Sequence, residues 1–198
     1  MSSRDLLIGR IIPGLIFLSL WLDGWLFPLI LLPILYVLLV EKKSLEWLGF
    51  SRHGLQSSML VGVLITSLLC VIYCPIFFYY LPTMEREAID LYSIFLDVIW
   101  YPVYEELAYR AFALSHFAEP HGSYLSTKNL SANLIQSLLF LSIHKHHFSV
   151  PLVLVPVFLL GLLNGFLFIK TRNIYGCILT HSTLNGFALL LRYTFAYP

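Results

Sequence analysis

Apolar residues fall in long blocks along the chain, at approximately 7–22, 25–40, 57–80, 91–118, 131–149, 152–169 and 174–195. Polar connectors separate the later ones: "EKKSLEWLGFSRHGLQ", "PTMEREAI", "EPHGSYLSTKN" and "KTRN". A helix needs about 20 residues, with roughly 17 to 25 tolerated, to cross hydrocarbon, so these blocks predict membrane-spanning helices. The first two are short and share the break "DGW" at Asp23–Trp25, with Pro13, Pro28 and Pro33 nearby. They form either a tight hairpin of two spans or one long kinked segment, which makes the count six or seven. Trp47 and Phe50 lie among charges in the first connector, a pattern that predicts a short helix on the membrane surface. The chain therefore reads as one all-α transmembrane domain over 1–198. Residues 1–56 supply the N-terminal spans and the interfacial connector, and 90–190 form a core that carries the chemistry.

Composition agrees with the pattern. Hydrophobic residues make up 59% of the chain, charged residues 12%, and mean hydropathy is +0.81. Soluble domains are nearer half apolar and a quarter charged. Net charge is +1, which gives no case for nucleic acid or any strongly charged partner. With seven spans, Arg4, Arg10, Lys42, Lys43, Arg52, Lys128, Lys170 and Arg172 collect on one side, against Arg86, Lys145 and Arg192 on the other. That imbalance places the N-terminus in the cytoplasm. Arg4 and Arg10 precede an apolar stretch as in a signal peptide, but no A-x-A site follows, so the first span is read as uncleaved. Cys70, Cys74 and Cys177 lie in apolar runs without CxxC or Cys/His spacing and read as small buried apolar residues.

Against that background "YPVYEELAYRAF", residues 101–112, stands out. Each charge carried into hydrocarbon costs about 2.5–3.5 kcal/mol on insertion scales. Glu106 and Arg110 are i and i+4 with the glutamate first, the favourable order for an intrahelical ion pair. Glu105 points about 100° away and shares a helical face with Tyr101 and Tyr109, leaving it available for another role. A purely structural reading has both glutamates bracing neighbouring helices. In "FLSIH", Phe140 and His144 share a face that Asn133, Gln136 and Ser137 continue as a polar seam. His146 and His147 read as interfacial, and His144 as the deepest of the three. In "THSTLNG", His181 and Asn185 are again i and i+4 and can point into one cavity. Gly161 and Gly165 form a GxxxG pair that reads as helix packing, with Asn164 as interhelical glue. At 1.5 Å per residue from the Lys128 and Lys170 side, Glu105 and His144 lie roughly 20 Å deep and His181 roughly 10 Å. A shared wet pocket accounts for ionisable groups at such depths.

A carboxylate beside a neutral imidazole can hold and deprotonate water. A second histidine and a carboxamide offer donors to a developing oxyanion. No serine sits in G-x-S-x-G and no cysteine adjoins a histidine or basic residue, which argues against a serine or cysteine nucleophile. Glu105, His144 and His181 would also make a His₂Glu zinc set. H-E-x-x-H is absent, so zinc is the second reading of the same residues and no cofactor the first.

"EELAYR", "FLSIH" and "HSTLN" match EExxxR, FxxxH and HxxxN in the order found in the CAAX protease and bacteriocin-processing family, which about residues 90–190 resemble. The run "GLLNGFLFIKTRNIYGCILTHSTLN" also resembles that family's last two core helices. The resemblance implies a glutamic-type intramembrane endopeptidase. Glu105 would be the base, His144 its partner in holding the water, and His181 with Asn185 the oxyanion site. Glu106, Arg110, Tyr109 and Phe140 would support them. The implied partner is a membrane-associated protein or peptide, a C-terminal sorting signal among the options. Because the family also has members assigned to bacteriocin self-immunity, a non-enzymatic membrane binding protein is the alternative from a different class.

Overall fold

The computed structural model describes residues 9, 11–22, 31–83, 90–119, 122–144 and 149–195. Among them the chain is helical throughout, with no strand. Asp23–Trp25, Pro28, Arg4, Arg10, Arg86, Lys145, His146 and His147 lie outside the described residues, and with them the hairpin break, the interfacial histidines and part of the charge imbalance.

Helix α1 is Ile12–Leu22. Helix α2, Leu31–Leu35, continues into wide π-type turns over Tyr36–Val40. In the connector only a single 3₁₀ turn, Leu45–Leu48, forms, shorter than the surface helix expected. Helix α3 is Leu55–Tyr80. A long rod follows: α4 (Leu91–Phe95), wide turns at Leu96–Trp100, α5 (Tyr101–Glu106), wide turns at Leu107–Leu114 and α6 (Ser115–Phe117). Asp90 starts the rod, its Oδ1 accepting from Ser93 N at 2.7 Å, the usual way of satisfying an orphan N–H at a helix start. Helix α7 is Thr127–Ile143, α8 Leu154–Thr171 and α9 Tyr175–Phe195.

Helix α3 is apolar outside, and its inner face is small or polar in the first half, with Leu69 and Phe77 buried beyond. Ser58, Gly62 and Thr66 are buried while Leu64, Leu68 and Val71 are exposed. Such a face suits lipid, where helices associate through small residues rather than hydrophobic burial. Its inner side meets α9 at Gly176, where a Cβ would run into Ser58. Gly165 of α8 is as tight against α7: a Cβ there would collide with Asn133 Oδ1. Asn164 Nδ2 donates to the Cys177 carbonyl at 3.0 Å, tying α8 to α9. The GxxxG pair and Asn164 thus do the packing expected of them.

By length and composition, two helical stretches among the described residues are able to cross a membrane, Leu55–Tyr80 and Pro151–Thr171. The apolar block expected at 131–149 is shifted: Ser126 caps the helix through Asn129 N at 3.2 Å, so α7 begins earlier and ends at Ile143. His144 is therefore the C-terminal cap instead of an interior residue. Cys177 is buried, but Cys70 and Cys74 are half-buried on α3, beside the stripe that runs from Ser58 through Leu69 to Phe77 and faces inward.

Candidate functional site

Helix α5, the end of α7 and the middle of α9 meet around the two glutamates. Glu106 Oε1 lies 3.1 Å from Arg110 Nη1, and neither side chain has any exposure, 0% for both. The pair is the i, i+4 contact that the spacing predicts. His181 Nδ1 lies 2.9 Å from the same Oε1, and since a carboxylate only accepts, this nitrogen carries the hydrogen. Arg110 Nη2 donates to the Gly161 carbonyl at 3.3 Å, and the guanidinium sits 4.4 Å from the centre of the Phe140 ring. Such a charge, enclosed, paired and stacked on an aromatic face, is stable where an unpaired one is not.

Glu105 faces the other way. Its Oε2 lies 3.9 Å from His144 Nε2 and 3.8 Å from His181 Nε2. Those separations exceed a direct hydrogen bond and suit one small polar group bridged between the three atoms. The Glu105 and His144 side chains keep 14% and 15% of their exposure, against 3% for His181. The three residues expected to converge do so.

The orientation of His144 follows from the end of its helix. Its backbone N–H bonds three residues back, to Leu141 O at 3.1 Å, which takes it away from the Phe140 carbonyl. The ring fills the vacancy, Nδ1 donating to Phe140 O at 2.8 Å. Last-turn carbonyls need such outside donors. Nδ1 therefore holds the ring hydrogen, and Nε2 presents its lone pair towards Glu105. One histidine is set by a helix cap and the other by a buried carboxylate, and both direct Nε2 at one oxygen.

Phe140 joins the layers. It stacks edge-on or tilted with Tyr109 (5.5 Å), His144 (4.7 Å) and His181 (5.7 Å). Tyr109 is buried between Phe140 and Phe17, 5.4 Å from the latter's ring. Wide turns follow Glu106 over Leu107–Leu114, and π-type turns recur at functional sites. Asn133, Gln136 and Ser137 bond to one another and to α8 carbonyls, Gln136 Nε2 reaching Gly161 O at 3.0 Å. The polar seam is interhelical and also steadies the carbonyl that holds Arg110.

Asn185 Nδ2 donates one of its two hydrogens to the Asp97 main-chain carbonyl at 2.8 Å. Sequence reasoning missed Phe17 and Trp21, whose Nε1 donates to Ser142 Oγ at 2.9 Å. Both belong to a block without motif, and only their aromatic character marked them. Among the described residues no group of three or more His, Cys, Asp or Glu side chains is arranged to hold a metal ion.

A family model described as Type II CAAX prenyl endopeptidase Rce1-like matches residues 87–187, which include all four polar clusters just described. No curated protein and no solved structure matches the chain.

Proposed function

The chain belongs to the Type II CAAX prenyl endopeptidase Rce1-like family, and from that premise we propose that it hydrolyses a peptide bond within the membrane using water activated by Glu105. The substrate is a membrane-associated protein or peptide cleaved near one terminus. A prenylated C-terminal end is the form the family name suggests, and a C-terminal sorting signal is a second candidate of the same kind. The protein itself is an integral membrane protein with its N-terminus in the cytoplasm, and the apolar blocks supply six or seven spans.

The observation that carries this reading is the approach of two imidazole Nε2 atoms to Glu105 Oε2, at 3.8 and 3.9 Å. A water held there gives one proton to Glu105 and hydrogen-bonds His144 Nε2 with the other. Its oxygen adds to the substrate carbonyl carbon, and the electron pair moves onto the carbonyl oxygen. His181, held through Nδ1 by Glu106, turns Nε2 to the side on which that oxyanion forms and stabilises it there. Glu105 then passes its proton to the leaving nitrogen as the C–N bond breaks, and the hydroxyl proton of the new carboxyl group passes to His144 Nε2, leaving a carboxylate and an amine. General acid–base steps of this kind are worth about 10²–10⁴-fold.

The test is cleavage of a farnesylated, quenched-fluorescent C-terminal peptide by purified protein in detergent. Glu105→Gln should lower kcat about 10²–10⁴-fold with an unchanged thermal unfolding midpoint. Full activity in that variant sinks the mechanism. Activity that tracks bound zinc and disappears with a chelator moves the same residues to the His₂Glu reading. Binding of the peptide with no turnover by the wild type would leave a membrane binding protein.

A further inference from the structure

Helix α1 lies before the residues that the family model matches, yet two of its side chains reach the support of His144. Phe17 and Trp21 are i and i+4 and so share one helical face. Trp21 Nε1 donates to Ser142 Oγ at 2.9 Å. An indole nitrogen only donates, so the direction is fixed, and Ser142 gives its own hydrogen to the Leu139 carbonyl at 2.7 Å. Trp21, Ser142 and Leu139 thus form a run of two hydrogen bonds in which each polarises the next. The following carbonyl, Phe140 O, is the one that holds the His144 ring at 2.8 Å. Side chains therefore anchor two successive carbonyls near the end of α7, one through its own cap and one by relay from α1.

The other contact of α1 reaches the same turn through rings. Phe17 meets Tyr109 edge-on at 5.4 Å, Tyr109 meets Phe140 at 5.5 Å, and Phe140 lies 4.7 Å from the His144 ring. The turn that carries His144 is thus braced from α1 twice, through Ser142 and through Phe140. Its position matters because His144 Nε2 stands 3.9 Å from Glu105 Oε2, a gap that one small polar group bridges only while it keeps its width. We propose that Trp21 is a positioning residue for His144, acting through Ser142, so that a helix outside the matched core sets the geometry of the water site. The inference rests on the endopeptidase reading for its effect on turnover and on these contacts alone for its effect on the histidine.

The experiment places Trp21→Phe, which keeps an aromatic ring and removes the N–H, in the wild-type and His144→Ala backgrounds. On the farnesylated peptide Trp21→Phe should lower kcat about 3- to 20-fold with KM unchanged, the span expected if one interhelical hydrogen bond in a membrane is felt wholly at His144. In the His144→Ala background it should leave the residual kcat where it was. Ser142→Ala removes the acceptor and should give the same loss, with no further loss when combined with Trp21→Phe; it carries the test should Trp21→Phe not fold. Equal losses in both backgrounds, a raised KM with kcat intact, or a lower unfolding midpoint with kcat intact would each overturn the proposal. A readout free of turnover is the nitrogen NMR spectrum of histidine-labelled protein in detergent, with His144→Ala identifying the signals. Trp21→Phe should shift the His144 signals and leave in place those of His116, which packs on Trp47. Unmoved His144 signals would overturn the proposal even in a protein that cleaves nothing, which keeps its failure separate from failure of the endopeptidase reading.

Discussion

Glu106 closes its contacts at 2.9 and 3.1 Å with no exposure, whereas Glu105, one residue earlier, stands 3.8 and 3.9 Å from its histidines with 14% of its side chain reachable. The two carboxylates share a helix, a depth and a histidine, yet one belongs to a sealed region and the other to an open one. In the sealed region Glu106 Oε1 meets both Arg110 and His181 at contact distance, so the electrostatics are spent on holding helices together. In the open region the two separations from Glu105 Oε2 to the histidine Nε2 atoms are about 1 Å too long for direct bonding and right for a bridging molecule. Reactivity here comes from what the fold leaves unclosed, and the sealed neighbours are what keep the opening in place.

The sharpest way to break this comparison is to open the sealed side. Arg110→Met keeps much of the side-chain volume but leaves Glu106 buried without its cation. Removing one partner of a buried pair costs about 3–5 kcal/mol, so the variant should unfold at a much lower midpoint and lose activity with it. Glu105→Gln should do the reverse, abolishing turnover at constant stability. If Arg110→Met were as stable as the wild type, Glu106 would be protonated in the native protein and the sealed region would not be ionic.

A smaller effect is expected where the regions touch. Phe140 packs on Arg110 from one side and on both histidines from the other. Phe140→Leu retains an apolar side chain and loses the ring contacts, worth about 1–3 kcal/mol together. Unlike either glutamate substitution, it should lower stability and kcat at once. A change in only one of the two, measured by unfolding and single-turnover cleavage, would mean that the regions are not joined through this ring.

How far these regions were legible from sequence depends on the range of the contacts. Glu106–Arg110 is an i, i+4 relation and could be read directly, as could the packing of Gly161 and Gly165. The meeting of Glu105, His144 and His181 was legible more indirectly, through the rule that ionisable groups in apolar helices need one another. What failed depended on regular helical geometry. His144 was expected inside a helix and is its cap. Asn185 was read by its spacing from His181, which says nothing of an acceptor on another helix. Phe17 belongs to a block with no motif, and its contact with Tyr109 is purely tertiary.

The smallest expected effect tests whether the open region depends on the stability of the whole or only on its own neighbours. Ser126 caps α7 at the end opposite His144, accepting from Asn129 N at 3.2 Å. Ser126→Ala removes that acceptor and should cost about 1 kcal/mol, the usual loss for a capping hydroxyl. Helix α7 is 17 residues long, so fraying at its start lies roughly 25 Å from the histidine at its end. The His144 ring is held by Phe140 O, within the final turn, and that bond should not feel the loss. Unfolding should therefore shift slightly downwards while kcat, KM and their pH dependence stay at wild-type values. A fall in kcat matching the fall in stability would show that the 3.9 Å separation from Glu105 is set by the length and rigidity of the entire helix instead of by its terminal cap.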